Sequence, residues 1–123
     1  MAELVRLKGV VEAAARSRAD GERRALYLLD EILQGTNSAE RQVAARRILE
    51  RLLAEGAIGA VSTHDLSLAD APPLADAARA VHFRETLEER PGEAPTMTFD
   101  YALRPGPATS ANALALVRMM GLG

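Results

Sequence analysis

The chain has 123 residues, of which 48% are apolar, 26% charged and 3% aromatic, a balance that fits one globular domain or part of one. A net charge of −2 argues against a dedicated nucleic-acid surface, and the lack of cysteine excludes disulfides and thiolate metal sites. No apolar run approaches the roughly 18 residues of a membrane span, and Glu3 interrupts the start of any secretory signal, so a cytoplasmic protein with no membrane partner is expected.

Residues 2–17 read as a helix, with Leu4, Leu7, Val11 and Ala14 at helical spacing. Asp20-Gly21 then signals a turn. Ala25-Leu26-Tyr27-Leu28-Leu29 is an unbroken apolar run, which predicts a strand of a parallel sheet buried on both faces. Gln34 to Ser38 form a loop that also supplies helix-capping residues. From Ala39 to Glu55 the positions Ala44, Ile48, Leu52 and Ala45, Leu49, Leu53 make one apolar stripe, and Gly56 is a natural stop. Residues 57–62 read as a second buried strand, so strand, helix and strand make a βαβ unit. Residues 66–78 hold short helical pieces broken by Pro72-Pro73. Residues 81–87 and 96–103 predict an antiparallel pair, the second with Met97, Phe99, Tyr101 and Leu103 on one face. Thr109 or Ser110 is expected to cap a final helix bearing Leu114, Val117 and Met120.

The chemistry sits where the first strand ends, in the adjacent carboxylates of Asp30 and Glu31. In open α/β sheets ligands bind beyond the carboxyl ends of parallel strands. His64 follows the end of the second strand, so the three residues are expected to converge on one crevice. An apolar strand ending in Asp is the Walker B pattern, in which Asp30 holds Mg²⁺, usually through water. An adjacent carboxylate, Glu31, can orient and deprotonate an attacking water. His64 can donate to a γ-phosphate as charge develops there. The plainer alternative is a buried strand that ends in a solvated carboxylate, beside a structural histidine.

The loop that follows bears a family resemblance. Leu28 through Asp30-Glu31-Ile32-Leu33-Gln34-Gly35-Thr36-Asn37-Ser38 resembles the Walker B segment of MutS proteins, which run apolar residues, Asp-Glu-Ile, two variable residues, Gly-Thr and a small polar residue or two. Ser62-Thr63-His64 resembles their Thr-His switch, and Leu103-Arg104-Pro105-Gly106 to Met119-Met120-Gly121 their closing strand and helix. Ile32 and Gly35-Thr36 separate the chain from ABC transporter ATPases, which usually continue with Glu-Pro. Gln34 and Asn37 differ from the commonest mismatch-repair form, which bears on the role in repair more than on the fold.

The resemblance implies a partial P-loop NTPase fold of the ABC/MutS type: a parallel βαβ core with helices, a C-terminal antiparallel pair and a final helix, all within 1–123 as the later part of one ATPase domain. It implies a parent that couples ATP hydrolysis to DNA transactions such as mismatch repair. ATP and Mg²⁺ would be the cofactors, Asp30 the metal residue, and Glu31 and His64 the catalytic ones. Thr36 and Ser38 would contact nucleotide across a head-to-tail dimer, or else cap the following helix. The family's Walker A loop, Gly-x-x-x-x-Gly-Lys-Ser/Thr, has no counterpart in these residues. The chain alone is therefore expected not to hydrolyse ATP, and DNA contacts are expected from regions outside it. Met1-Ala2-Glu3-Leu4 resembles the family's Met-x-Glu-Met/Leu, which makes Met1 an expected internal methionine of a longer protein. Lacking the earlier half of its sheet, such a piece bares apolar surface, which predicts a homodimer or a domain-swapped oligomer. The rival reading is a non-catalytic interaction or dimerisation module that keeps the ATPase fold.

The remaining charged residues read plainly. Arg41, Arg46, Arg47 and Arg51 are expected on a solvated mixed-charge helix face, with a contact to DNA or a partner as the alternative. Arg16, Arg18, Arg23 and Arg24 read as surface, and Asp65 and Asp70 as cap or loop residues without metal-ligand spacing to His64. His82 is expected to face outward and do nothing.

Overall fold

The computed structural model describes residues 2–33, 37–88, 90–94, 96–108, 117–118 and 120–122. It is a mixed α/β structure in two compact units, residues 1–78 and 79–123.

In the first unit, helix α1 (Ala2–Asp20) leads to strand β1 (Leu26–Asp30). Helix α2 (Ser38–Ala54), strand β2 (Ile58–Ser62) and the single-turn helix α3 (Leu74–Ala77) follow. The expected βαβ unit is present: β1 and β2 pair in parallel, from Leu26 opposite Ile58 to Asp30 opposite Ser62. Local signals set the ends of α2. The Asn37 side chain accepts from the Ala39 N–H at 3.0 Å, satisfying a free donor of the first turn. At the other end Gly56 takes φ 73°, with Gly56 N–H bonded to Leu53 O and Ala57 N–H to Leu52 O, each at 3.0 Å. This pair of bonds is a Schellman stop, which needs the left-handed conformation glycine adopts freely.

The core lies where α1 and α2 cover one face of the sheet. Leu7 and Ala14 from α1 meet Ala45, Leu49 and Leu52 from α2, with Tyr27, Leu29 and Val61 of the strands packed against them. Leu52 has no exposed surface, and burial of such a side chain contributes roughly 1.5–3 kcal/mol. Arg46 does not lie on a purely solvated face; it donates to Ser67 O at 2.9 Å and Asp70 Oδ1 at 3.0 Å, tying α2 to the following loop. Asp65 is the loop cap expected, accepting from the Ser67 N–H and hydroxyl.

The expectation for the two parallel strands fails. The strands are not buried on both faces, since Leu26, Leu28 and Ile58 are 68%, 76% and 52% exposed. The unbroken apolar run reflects a second face that no described element of this unit covers. Register explains Gly59, which lies opposite Tyr27. A Cβ there would overlap the Tyr27 carbonyl oxygen and approach its ring carbons at 2.5 and 2.6 Å.

The second unit holds short antiparallel pairs. Strand β3 (Val81–His82) pairs with β6 (Arg104–Pro105), and β4 (Glu85–Glu88) with β5 (Thr96–Phe99). The single long strand expected over 96–103 breaks after Phe99. Asp100 Oδ1 accepts from the Ala102 N–H at 3.0 Å and Tyr101 takes φ 55°, so this local turn replaces the ladder. His82 is not idle: it is half-buried, and its Nδ1 donates to Gly106 O at 2.8 Å. Val117 and Arg118 are helical and Met120 lies in a turn, while 109–116 and Met119 of the expected final helix lie outside the described residues.

A strand-end site of two carboxylates, a serine and a histidine

Parallel pairing brings both carboxyl ends of the sheet to one edge. Asp30 ends β1 and Ser62 ends β2, directly opposite each other. Glu31 follows Asp30 with φ 45°, a left-handed conformation uncommon outside glycine. Its N–H donates to Ser62 O at 3.0 Å and to Ser62 Oγ at 3.2 Å. The Ser62 hydroxyl in turn donates to Asp30 Oδ1. Glu31 Oε1 meets His64 Nε2 at 2.5 Å.

Asp30, Glu31 and His64 therefore gather as the sequence leads one to expect. Two further residues take part without having been given a role from the sequence. Ser62 joins the ends of both strands. Glu3, from the first turn of α1, accepts the Leu33 N–H on Oε1 at 2.6 Å. Leu33 also has a left-handed φ, 62°, and is buried in the core. Two non-glycine residues held left-handed within three positions cost roughly 1–3 kcal/mol each, and such strain gathers at working sites. The sequence signal for Ser62 was only a hydroxyl at a strand end, which the register sets opposite Asp30; for Glu3 nothing pointed to Leu33. Thr36 and the Ser38 side chain lie outside the described residues, so their expected roles rest on the sequence.

The pair is exposed, with the His64 side chain 91% accessible and Glu31 31%. Exposed ion pairs contribute little to stability, so packing energy does not explain the arrangement. A concavity of about 390 Å³ lies between α1 and α2 around Leu7, Val11 and Ile48, and this pair is not part of its lining. The Asp30 carboxylate is a hard oxygen donor of the kind Mg²⁺ prefers, so this end fits that ion. Among the described residues no group of three His, Cys, Asp or Glu gathers to form a protein-only cage. Mg²⁺ needs no such cage where substrate phosphates complete its shell.

Carboxylates and a histidine at the carboxyl ends of parallel strands, beside a connecting helix, define the strand-end type of α/β site. Comparison with known proteins then gives the chain's relatives. The chain is 30% identical, over 99% of its length, to DNA mismatch repair protein MutS 2 of Haloarcula marismortui. It is 31% identical, again over 99% of its length, to DNA mismatch repair protein MutS of Natronomonas pharaonis. A stretch of 39 residues, 32% of the chain, is 59% identical to Endonuclease MutS2 of Thermomicrobium roseum. The chain is MutS-related along nearly its whole length. It spans 12% and 13% of the first two relatives and 5% of the third. No family model matches it, and no solved structure does.

Proposed function

We propose that this chain carries the Walker B side of a MutS-type ATPase site, in a protein that couples ATP hydrolysis to DNA transactions such as mismatch repair. The observation that carries the reading is the meeting of Glu31 and His64 at 2.5 Å beside Asp30, all at the carboxyl ends of parallel strands. The mismatch-repair names of the relatives matched over 99% of the chain support the DNA role. The finer fold is that of a P-loop NTPase, with β1 as the Walker B strand and residues 62–64 as the switch.

Asp30, steadied by Ser62, is the carboxylate that would hold Mg²⁺. The ion would neutralise charge on the phosphates of ATP. Glu31 takes the proton of the attacking water, with His64 holding its carboxylate in the resting site. His64 presents its ring nitrogen to the terminal phosphate. Thr36 and Ser38 would contact nucleotide held by a second copy, a role that rests on the sequence alone. The phosphate cradle is supplied by residues other than these 123, so the chain by itself does not turn over ATP. DNA contacts belong to other regions of the protein, and the compartment is the cytoplasm.

The test is calorimetry on a chimera in which this chain replaces the matching stretch of the Haloarcula relative. Mg·ATP should bind, and Asp30→Ala should remove the dependence of binding on magnesium. Unchanged magnesium dependence in Asp30→Ala would count against the assignment.

The bare sheet face with Leu26, Leu28 and Ile58 exposed favours a second reading, in which the unit is a non-catalytic dimerisation module. In that case Asp30→Ala would leave self-association intact and nucleotide would not bind at all.

A further inference from the structure

Ser62 makes three hydrogen bonds between the ends of β1 and β2. Its hydroxyl donates to Asp30 Oδ1 and accepts the Glu31 N–H at 3.2 Å, while its carbonyl accepts the same N–H at 3.0 Å. A hydroxyl has one proton and two lone pairs, so both of its bonds form at once. We propose that Ser62 is the positioning residue of this site: it fixes the Asp30 carboxylate and the Glu31 backbone against the strand that presents His64.

Three features lead there. Asp30 is exposed, and an exposed carboxylate without a donor moves among its rotamers. The ladder between β1 and β2 orders the backbones but does not orient that side chain. Glu31 sits at φ 45°, and two acceptors on one residue converge on its N–H. Lastly, Ser62 stands two residues before His64, so the link that sets Glu31 also sets the distance between Glu31 and its histidine. Side-chain chemistry at position 62 therefore reaches both partners of the pair without touching a reactant. Its relevance to phosphoryl transfer rests on the reading given above, whereas the positional coupling stands on the hydrogen bonds themselves.

The experiment uses the full chain, nitrogen-15 labelled, at one fixed pH. It compares the wild type with Ser62→Thr, which keeps the hydroxyl, and with Ser62→Ala and Ser62→Cys, which lose it or weaken it. The readouts are the imidazole nitrogen shifts of His64 and its nuclear Overhauser contacts to the Glu31 side chain. Amide signals of residues 26–29 and 58–61 report whether the strands stay paired. We expect the Glu31–His64 contacts in the wild type and Ser62→Thr, and their loss in Ser62→Ala and Ser62→Cys with the strand amides unmoved. A purely structural serine would shift the strand amides and leave no selective change at His64. Intact contacts in Ser62→Ala, or loss of strand pairing in both Ser62→Ala and Ser62→Cys, would overturn the proposal. The calorimetry on the chimera reports separately: if nucleotide fails to bind there, the ATPase reading falls and the result at Ser62 stands.

Discussion

At the residue scale, Glu31 is held twice, by its backbone through Ser62 and by its carboxylate through His64. That double hold lets a non-glycine residue keep φ 45°. The acidic pair and the histidine were legible in the sequence because each follows a short apolar run. Ser62 was less legible, since serine at a strand end is ordinary until the register places it opposite Asp30. Gly59 makes the complementary point, for its meaning lies wholly in the partner strand. Tyr27 lies across from it, half-buried, and burial raises the pKa of its phenol. A methyl group at position 59 has to displace the Tyr27 carbonyl and ring. Gly59→Ala should therefore lower stability by about 1–3 kcal/mol, the usual cost of overpacking, as read from the urea midpoint. An unchanged midpoint would mean that the strands part without cost.

At the element scale, the βαβ unit was the readable part. Helical spacing, Asn37 and Gly56 fix α2, and the flanking apolar runs have no other easy place. The strand expected over 96–103 was less readable, because its alternation continues through Tyr101 and Leu103 while its backbone does not. Asp100 decides the matter by bonding two residues ahead, a competition between side chain and ladder that periodicity ignores. The same carboxylate is bidentate with Arg104, at 3.1 Å from Nη1 and 2.5 Å from Nη2. The Arg104 guanidinium first, and the Ala102 N–H second, hold the Asp100 carboxyl well below the usual carboxylate range. A lowered folded-state pKa means that the turn gains its support above the ordinary value of about 3.9 and loses it as pH falls through the lowered one. Carboxyl carbon NMR should find the Asp100 midpoint below 3.9, and Arg104→Ala should bring it back toward that value. A wild-type midpoint at the ordinary value would show that the pair does not form in solution.

At the scale of the whole molecule, charge and composition excluded classes of function without choosing one. The choice came from one loop sequence and from relatives of which the chain spans 12% and 13%. No described helix is long and apolar enough to cross a membrane. The outer face of the two-stranded sheet bares Leu26, Leu28 and Ile58, side chains that water disfavours. We expect light scattering to give a mass above the 13.1 kDa of one chain, and Leu28→Asp to bring it back to one chain. A wild-type mass of 13.1 kDa would show that this face stays free in solution. The central claim is that Asp30, Glu31 and His64 form the hydrolytic side of an ATPase site, and one measurement addresses it most directly. In the chimera with the Haloarcula relative, steady-state ATP hydrolysis would be compared with and without Glu31→Ala. The account predicts magnesium-dependent turnover that falls by about 10²–10⁴-fold in Glu31→Ala, the span a general base supplies. Turnover that survives Glu31→Ala undiminished would contradict it.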